Sequence, residues 1–259
     1  MSLATTAWDF LTEPHYHDII GVNASKQWMR RRKPVNVKSF SILHNAVMFF
    51  ASLYMVIETL RQAAENIGWG RAGGGAMWGN VAEAPGKPFS KSGARLANVL
   101  YIHYLSKAYE FTDTLIMVLK KNERQISFLH IYHHATTFFP CWWAVMNYAP
   151  GGDTYFTCCV NSSVHVAMYG YYLLSAAGVK VPKAVKKAIT SMQLVQFGLF
   201  FCHALYGALI ATHYRPRIIV ALCLWQAVVF ASLFGQFFWQ NYVMQSKGIA
   251  SENKAAKAA

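Results

Sequence analysis

Six stretches of the chain stay apolar over the roughly 20 residues that a helix needs to cross a bilayer. They run from Ser39 to Leu60, Leu96 to Leu119, Phe128 to Met146, Thr154 to Ala177, Ile189 to Thr212 and Ile218 to Val243. The polar residues inside them recur three and four apart, the spacing that places side chains on one face of a helix. The pattern predicts an all-α, polytopic transmembrane bundle over residues 39–243, between an amino-terminal segment at 1–38 and a polar tail at 244–259. The longest connection follows the first span; it is Gly-rich from Gly68 to Gly75 and punctuated by Pro85 and Pro88. Asp9, Glu13, Pro14 and Asp18 interrupt any apolar core in the first 22 residues, so no cleaved leader is expected there.

Charge adds an orientation. Of the 24 Lys and Arg, sixteen fall in the segments that six spans place on the side of the two termini. Seven fall on the opposite side, and Lys107 lies within a span. The bias of short basic loops toward the cytosol therefore predicts that both termini are cytosolic. A net charge of +13 suggests anionic partners, but the basic residues sit in short clusters between apolar runs, and only 14% of residues are charged against 54% hydrophobic. Lipid headgroups and phosphate-bearing substrates fit this arrangement better than nucleic acid, which is not an expected partner. The five cysteines all lie inside apolar runs and are odd in number, so no disulfide framework is suggested.

Polar, titratable side chains inside a membrane are costly and mark function by default. In the second span Lys107, Glu110, Asp113 and Thr114 read as one stripe, with His103 a turn earlier, so that the lysine and both carboxylates would pair. The stripe is read either as a buried ion-pair network or as a device that holds a histidine or a substrate group. The third span carries His130, His133 and His134 at i, i+3 and i+4. Such imidazoles serve packing, a metal, or acid, base and nucleophilic work. A di-iron site asks for several histidine clusters, whereas His44, His103, His165, His203 and His213 are scattered and His15 and His17 lie in the hydrophilic start; no metal is expected. The fourth span offers Asn161, His165, Met168, Tyr169 and Tyr172, and the fifth Thr190, Gln193 and Gln196, whose amides either bridge helices or donate to a developing oxyanion.

In this order and at these separations the four sets resemble the signature of the ELO family of fatty-acid elongases. The resemblance rests on Lys107-Ala-Tyr-Glu110-Phe-Thr-Asp113-Thr114, His130-Ile-Tyr-His133-His134, His165-Val-Ala-Met168-Tyr169-Gly-Tyr171-Tyr172 and Thr190-Ser-Met-Gln193-Leu-Val-Gln196, and covers the chain from about Lys33 to the tail. The residues from Gln125 to His134 resemble the branch that acts on polyunsaturated acyl chains. The family has a further span near its amino terminus, whereas only a short charged segment precedes Arg30 here; either that helix is missing or the start lies upstream.

The resemblance implies an acyltransferase, a 3-ketoacyl-CoA synthase that condenses malonyl-CoA with an acyl-CoA and releases carbon dioxide and CoA. No tightly bound cofactor is implied. His133 is expected to attack the acyl-CoA as nucleophile, or to act as general base, with His130 and His134 orienting it and His165 polarising the malonyl unit. Lys107, Glu110, Asp113, Asn161, Tyr169, Tyr172, Gln193 and Gln196 are expected to surround the substrates. Lys120, Lys121, Arg124, Lys183, Lys186 and Lys187 are expected to meet the CoA phosphates, since lysine serves phosphate as a point charge. The endoplasmic reticulum membrane, an acyl tunnel, and a ketoacyl reductase, dehydratase and enoyl reductase completing the cycle are also implied. Lys254 and Lys257 do not form a dilysine retrieval signal, so the reticulum follows from the resemblance and not from the tail. The rival readings are a di-iron desaturase or hydroxylase and a non-catalytic transporter.

Overall fold

The structure, a computed structural model, describes residues 22–67, 91–148, 154–209 and 217–244. The expected Gly-rich loop, the first 21 residues, the tail beyond 244 and the predicted span end at Thr212 lie outside the described residues. Among the described residues there are helices and turns and no strand. In chain order they are α1 (Val22–Arg30), α2 (Lys38–Ile67), α3 (Lys91–Tyr109), α4 (Phe111–Leu119), a 3₁₀ turn (Glu123–Gln125), α5 (Phe128–Tyr148), α6 (Thr154–Ala177), α7 (Lys183–Leu209), α8 (Arg217–Phe238) and a π turn (Trp239–Met244).

The predicted spans correspond to α2, α3 with α4, α5, α6, α7 and α8. The chain is an all-α membrane helix bundle. Three segments, Lys38–Gln62, Lys183–Leu209 and Arg217–Met244, are long and apolar enough on their own to cross a membrane. The second to fourth spans carry charged and histidine residues, which lower their apolarity, whereas the Thr190, Gln193 and Gln196 set lies on a helix that stays apolar enough. The outer surface is correspondingly greasy: Phe50, Trp225 and Leu209 are 63%, 63% and 70% exposed, as suits side chains that face lipid.

The second span departs from the expectation of one helix. Asp113 N–H bonds to the Glu110 carbonyl three residues back, and the chain turns at Glu110 between α3 and α4. Six residues also amount to about one and two-thirds helical turns, which puts Asp113 roughly 120° round from Lys107. The expected single stripe thus divides: Lys107 pairs with Glu110, and Asp113 faces other helices.

α2 packs most extensively on α6, and α7 on α8. The first contact is close because Gly170 has no side chain; a Cβ there would meet the Phe49 ring at 3.3 Å. Met55, Leu96, Val99, Leu100, Tyr155 and Cys158 form a core where α2, α3 and α6 meet. Val22, Met29, Val118, Ile126 and Ile131 form another where α1 seats against α4 and α5. Helix ends are closed locally. The Ser127 hydroxyl accepts from the His130 N–H and so caps the start of α5. α6 ends with Gly178 in the left-handed region (φ 96°), Val179 N–H reaching the Leu174 carbonyl and Gly178 N–H the Ser175 carbonyl, a turn that strains any residue with a Cβ.

Pro140 lies inside α5 and has no N–H to give the Thr136 carbonyl one turn back. Gln226 of α8 supplies the missing donor, its Nε2 lying 2.6 Å from that carbonyl oxygen. A backbone group orphaned in hydrocarbon is thereby satisfied by another helix. Gln226→Leu should destabilise the bundle by about 1–3 kcal/mol, the cost of an unpaired buried acceptor. Adding Pro140→Ala, which returns an amide to α5, should recover most of it. Thermal unfolding of the purified single and double variants checks this; an equal loss with and without Pro140→Ala would refute the assignment.

Candidate functional site

A cavity of about 340 Å³ lies where the α3–α4 junction, α5, α6, α7 and the end of α8 converge. Its wall includes residues of all four motifs: Glu110 and Asp113; His130, His133 and His134; Asn161, His165, Met168, Tyr169 and Tyr172; and Thr190, Gln193 and Gln196. Lys186 also lines it, as do Gln125 before α5 and Phe234, Phe237 and Tyr242 near the chain's last helical turns.

A buried charge pair joins the wall, through Glu110, to Lys107 beside it. Lys107 (4% exposed) donates to Glu110 Oε1 at 2.8 Å and to Asn161 Oδ1 at 2.7 Å. Asn161 Nδ2 in turn reaches Gln196 Oε1 at 3.3 Å. One chain of polar contacts therefore crosses from α3 through α6 to α7. Glu110 is 1% exposed and also faces two imidazoles, with His165 Nδ1 3.4 Å from Oε1 and His134 Nδ1 3.8 Å from Oε2. Two ions removed from water are tolerated only because each finds its counterpart and further polar neighbours.

The three histidines of α5 have different surroundings. His130 Nε2 meets the Thr114 hydroxyl at 2.8 Å, so the last residue of the first motif holds the first residue of the second. His134 stacks obliquely on His130 with ring centroids 4.4 Å apart and turns its Nδ1 toward Glu110. His133 lies between the cavity and the Phe230 and Phe234 rings, at 5.2 and 6.5 Å. Among the described residues no hydrogen bond holds its ring. The His134 ring makes no hydrogen bond among them either, but its Nδ1 faces Glu110 at 3.8 Å; His133 is the one of the three with neither a hydrogen bond nor an ion pair among the described residues.

Asp113 is used from two sides. His44 Nε2 of α2 lies 2.9 Å from Oδ1, and the Tyr169 hydroxyl donates to Oδ2 at 2.7 Å. Of the two glutamines, Gln196 accepts from Asn161, which bridges α6 and α7, while Gln193 Nε2 has only the Met168 sulfur at 3.9 Å beside it and faces the cavity. His103 is buried, but it is absent from the cavity wall and its Nδ1 has no partner among the described residues.

The basic candidates separate. Lys186 lines the cavity and its ammonium lies 5.6 Å from the Tyr171 ring centre. Lys121 lines a second cavity, of about 360 Å³, with Lys26, Arg30 and Glu123, and its Nζ donates to the Arg30 carbonyl. Lys120, Arg124, Lys183 and Lys187 are exposed and do not line the first cavity, and Lys187 lies over Phe238. Among the described residues no group of three or more His, Cys, Asp or Glu side chains is placed to hold a metal ion. The sequence pattern did not single out His44, Phe230, Phe234 or Tyr242; aromatic residues in an apolar span read as packing until they are seen near a cavity, and a lone histidine until a carboxylate of another helix meets it.

The family model described as ELO: GNS1/SUR4 family matches residues 15–249, which contain every motif on the cavity wall. The chain belongs to the ELO family. Relatives include fatty acid elongase 6 of Leishmania major, 34% identical over 212 residues, 79% of this chain and 52% of that protein. Very long chain fatty acid elongase 1 of Mus musculus is 35% identical over 219 residues, 83% of this chain and 74% of that one. Very long chain fatty acid elongase 5 of Tachysurus fulvidraco is 40% identical over 174 residues, 67% and 55%. The chain thus spans about half of the Leishmania major and Tachysurus fulvidraco proteins and about three quarters of the mouse one. The matched residues include the histidine set of α5, and the geometry above is what this chain builds around it.

Proposed function

We propose that this protein is a 3-ketoacyl-CoA synthase of fatty-acid elongation, an acyltransferase joining the two-carbon unit of malonyl-CoA to a polyunsaturated long-chain acyl-CoA. The observation that carries the reading is the His133 imidazole, without a hydrogen bond among the described residues and facing a cavity whose wall carries all four ELO motifs.

In this reading a His133 nitrogen attacks the thioester carbonyl, the carbon–sulfur bond breaks, and CoA leaves as thiolate to take up a proton. The acyl-imidazole is then the electrophile. Malonyl-CoA loses carbon dioxide, the pair of the broken carbon–carbon bond becomes an enolate, and the enolate carbon attacks the acyl group and frees the imidazole. An enolate needs preorganised donors and little water. Gln193, with no strong partner of its own, and His165, set by Glu110, are the groups assigned to the malonyl unit. Gln196 and Asn161 fix the helices between which it binds. Lys186 is assigned to CoA phosphate, and the lysines remote from the cavity to orientation in the membrane. The cytosolic side is read as that of the basic clusters, and the reticulum membrane, with reductase and dehydratase partners, as the setting. The Gln125 context and its place on the cavity wall support a polyunsaturated acyl chain.

Membranes holding the protein, given labelled malonyl-CoA and a series of acyl-CoAs, should place label in a 3-ketoacyl product two carbons longer. No labelled product at any chain length would overturn the proposal, and an oxygen-dependent, desaturated product from iron-containing protein would replace it. With acyl-CoA alone, mass spectrometry should find the acyl group on His133; turnover without any adduct would leave His133 as general base.

A further inference from the structure

The cavity is braced from a helix that contributes nothing to its wall. Among the described residues none of α2 lines it, yet His44 of α2 is fully buried and reaches Asp113, which does. A carboxylate only accepts hydrogen bonds, so the bonded tautomer of His44 carries its proton on Nε2; its Nδ1 has no partner among the described residues. The other Asp113 oxygen accepts a hydrogen bond from the Tyr169 hydroxyl. Tyr169, itself fully buried, stands edge-on to His165 with ring centroids 5.6 Å apart. Its O–H is held by Asp113, which itself stands on the cavity wall.

We propose that His44 is a positioning residue for the condensing reaction. Through Asp113 it locks Tyr169, and through the Tyr169 ring it sets the His165 imidazole at the angle that meets the malonyl unit; the inference rests on the condensation reading above. Glu110 fixes His165 from one side and the His44–Asp113–Tyr169 chain from the other, so two carboxylates three residues apart define one imidazole. Loss of the His44 bond frees Asp113 to turn. A displacement on the order of 1 Å at the reacting group is enough to cost up to about 100-fold in rate while leaving substrate binding nearly intact.

Two near-isosteric variants separate this from a packing role. The amide of His44→Gln places an N–H where Nε2 stood and keeps the bond to Asp113. The shorter amide of His44→Asn does not reach. In purified, detergent-solubilised full-length protein, His44→Asn should lower kcat about 10- to 100-fold with KM for malonyl-CoA and acyl-CoA changed less than about threefold. His44→Gln should keep most of the wild-type kcat, and His44→Asn with Tyr169→Phe should be no slower than the slower single variant. An active His44→Asn enzyme, equal losses in the Asn and Gln variants, a loss confined to KM, or multiplying losses in the double variant would each overturn the inference. Thermal unfolding run in parallel shows whether the Asn and Gln variants fold equally well; a kcat loss that tracks unfolding also counts against it. A wild type that makes no 3-ketoacyl product fails the condensation reading itself, and this inference with it, whereas a working wild type beside an unimpaired His44→Asn fails this inference alone.

Discussion

His133→Ala is expected to abolish chain elongation while the bundle still folds. The His133 ring already borders an open cavity and no hydrogen bond among the described residues holds it, so its removal enlarges existing space and orphans no polar partner. In the proposed reaction, what it loses is the reacting nitrogen. If His133 acts only as a general base, the loss should be about 10²- to 10⁴-fold. If it carries the acyl group, no covalent stage remains and the residual rate should fall below that range. The measurement is product formed per folded protein, with unfolding temperature as control. His130→Ala should behave differently, because it strands the Thr114 hydroxyl and disturbs α4 as well as the site. A His133→Ala protein that elongates at wild-type rate would remove the nucleophile and the base readings together.

The largest stability effect is expected at Lys107. Lys107→Met leaves Glu110 as a carboxylate buried to 1% exposure without its cation and deprives Asn161 Oδ1 of its donor. Breaking one side of such a pair costs about 3–5 kcal/mol, enough to unfold many domains. Replacing both partners, Lys107→Met with Glu110→Leu, should restore much of the stability, since two apolar groups of similar volume need no counter-ion. The double variant should nonetheless be inactive, because His134 and His165 lose the carboxylate that faces them. Unfolding temperatures and elongation assays of the three proteins decide the matter. A single variant as stable as wild type would show that the pair contributes nothing to the fold.

These expectations concern residues that the sequence pattern had already brought forward, and the reason is physical. A bilayer demands about 20 apolar residues per span, which marks the helices without reference to any fold. Inside such a span a charged or amide side chain must find a partner or a cavity, so the polar residues of α3 to α7 declared themselves by being where they are costly. The helical period then told which of them share a face. His130, His133 and His134 point to one region for that reason, as do Thr190, Gln193 and Gln196 to another. The all-α membrane bundle and the ELO membership follow from the same residues.

Faces, however, do not choose partners. Lys107, Glu110 and Asp113 read as one network along a helix, yet the turn at Glu110 and the 120° drift over six residues sent Asp113 to His44, 69 residues away in sequence, and to Tyr169, 56 away. Among six basic candidates for phosphate, Lys186 alone borders the cavity, a matter of which side of α7 packs inward. Of two equivalent-looking glutamines, both on the cavity wall, Gln196 accepts from the Asn161 amide while Gln193 meets the Met168 sulfur. Gln226 was an unremarked amide in an apolar span until Pro140, on another helix, left a carbonyl without a donor. The sequence by itself determined where the helices lie, which residues are expensive inside them and which of these lie together, because hydrophobic thickness and the 3.6-residue repeat are local properties. Only the tertiary structure decided which polar group meets which, because hydrogen bonds and ion pairs depend on separations of a few ångströms that packing between distant helices sets.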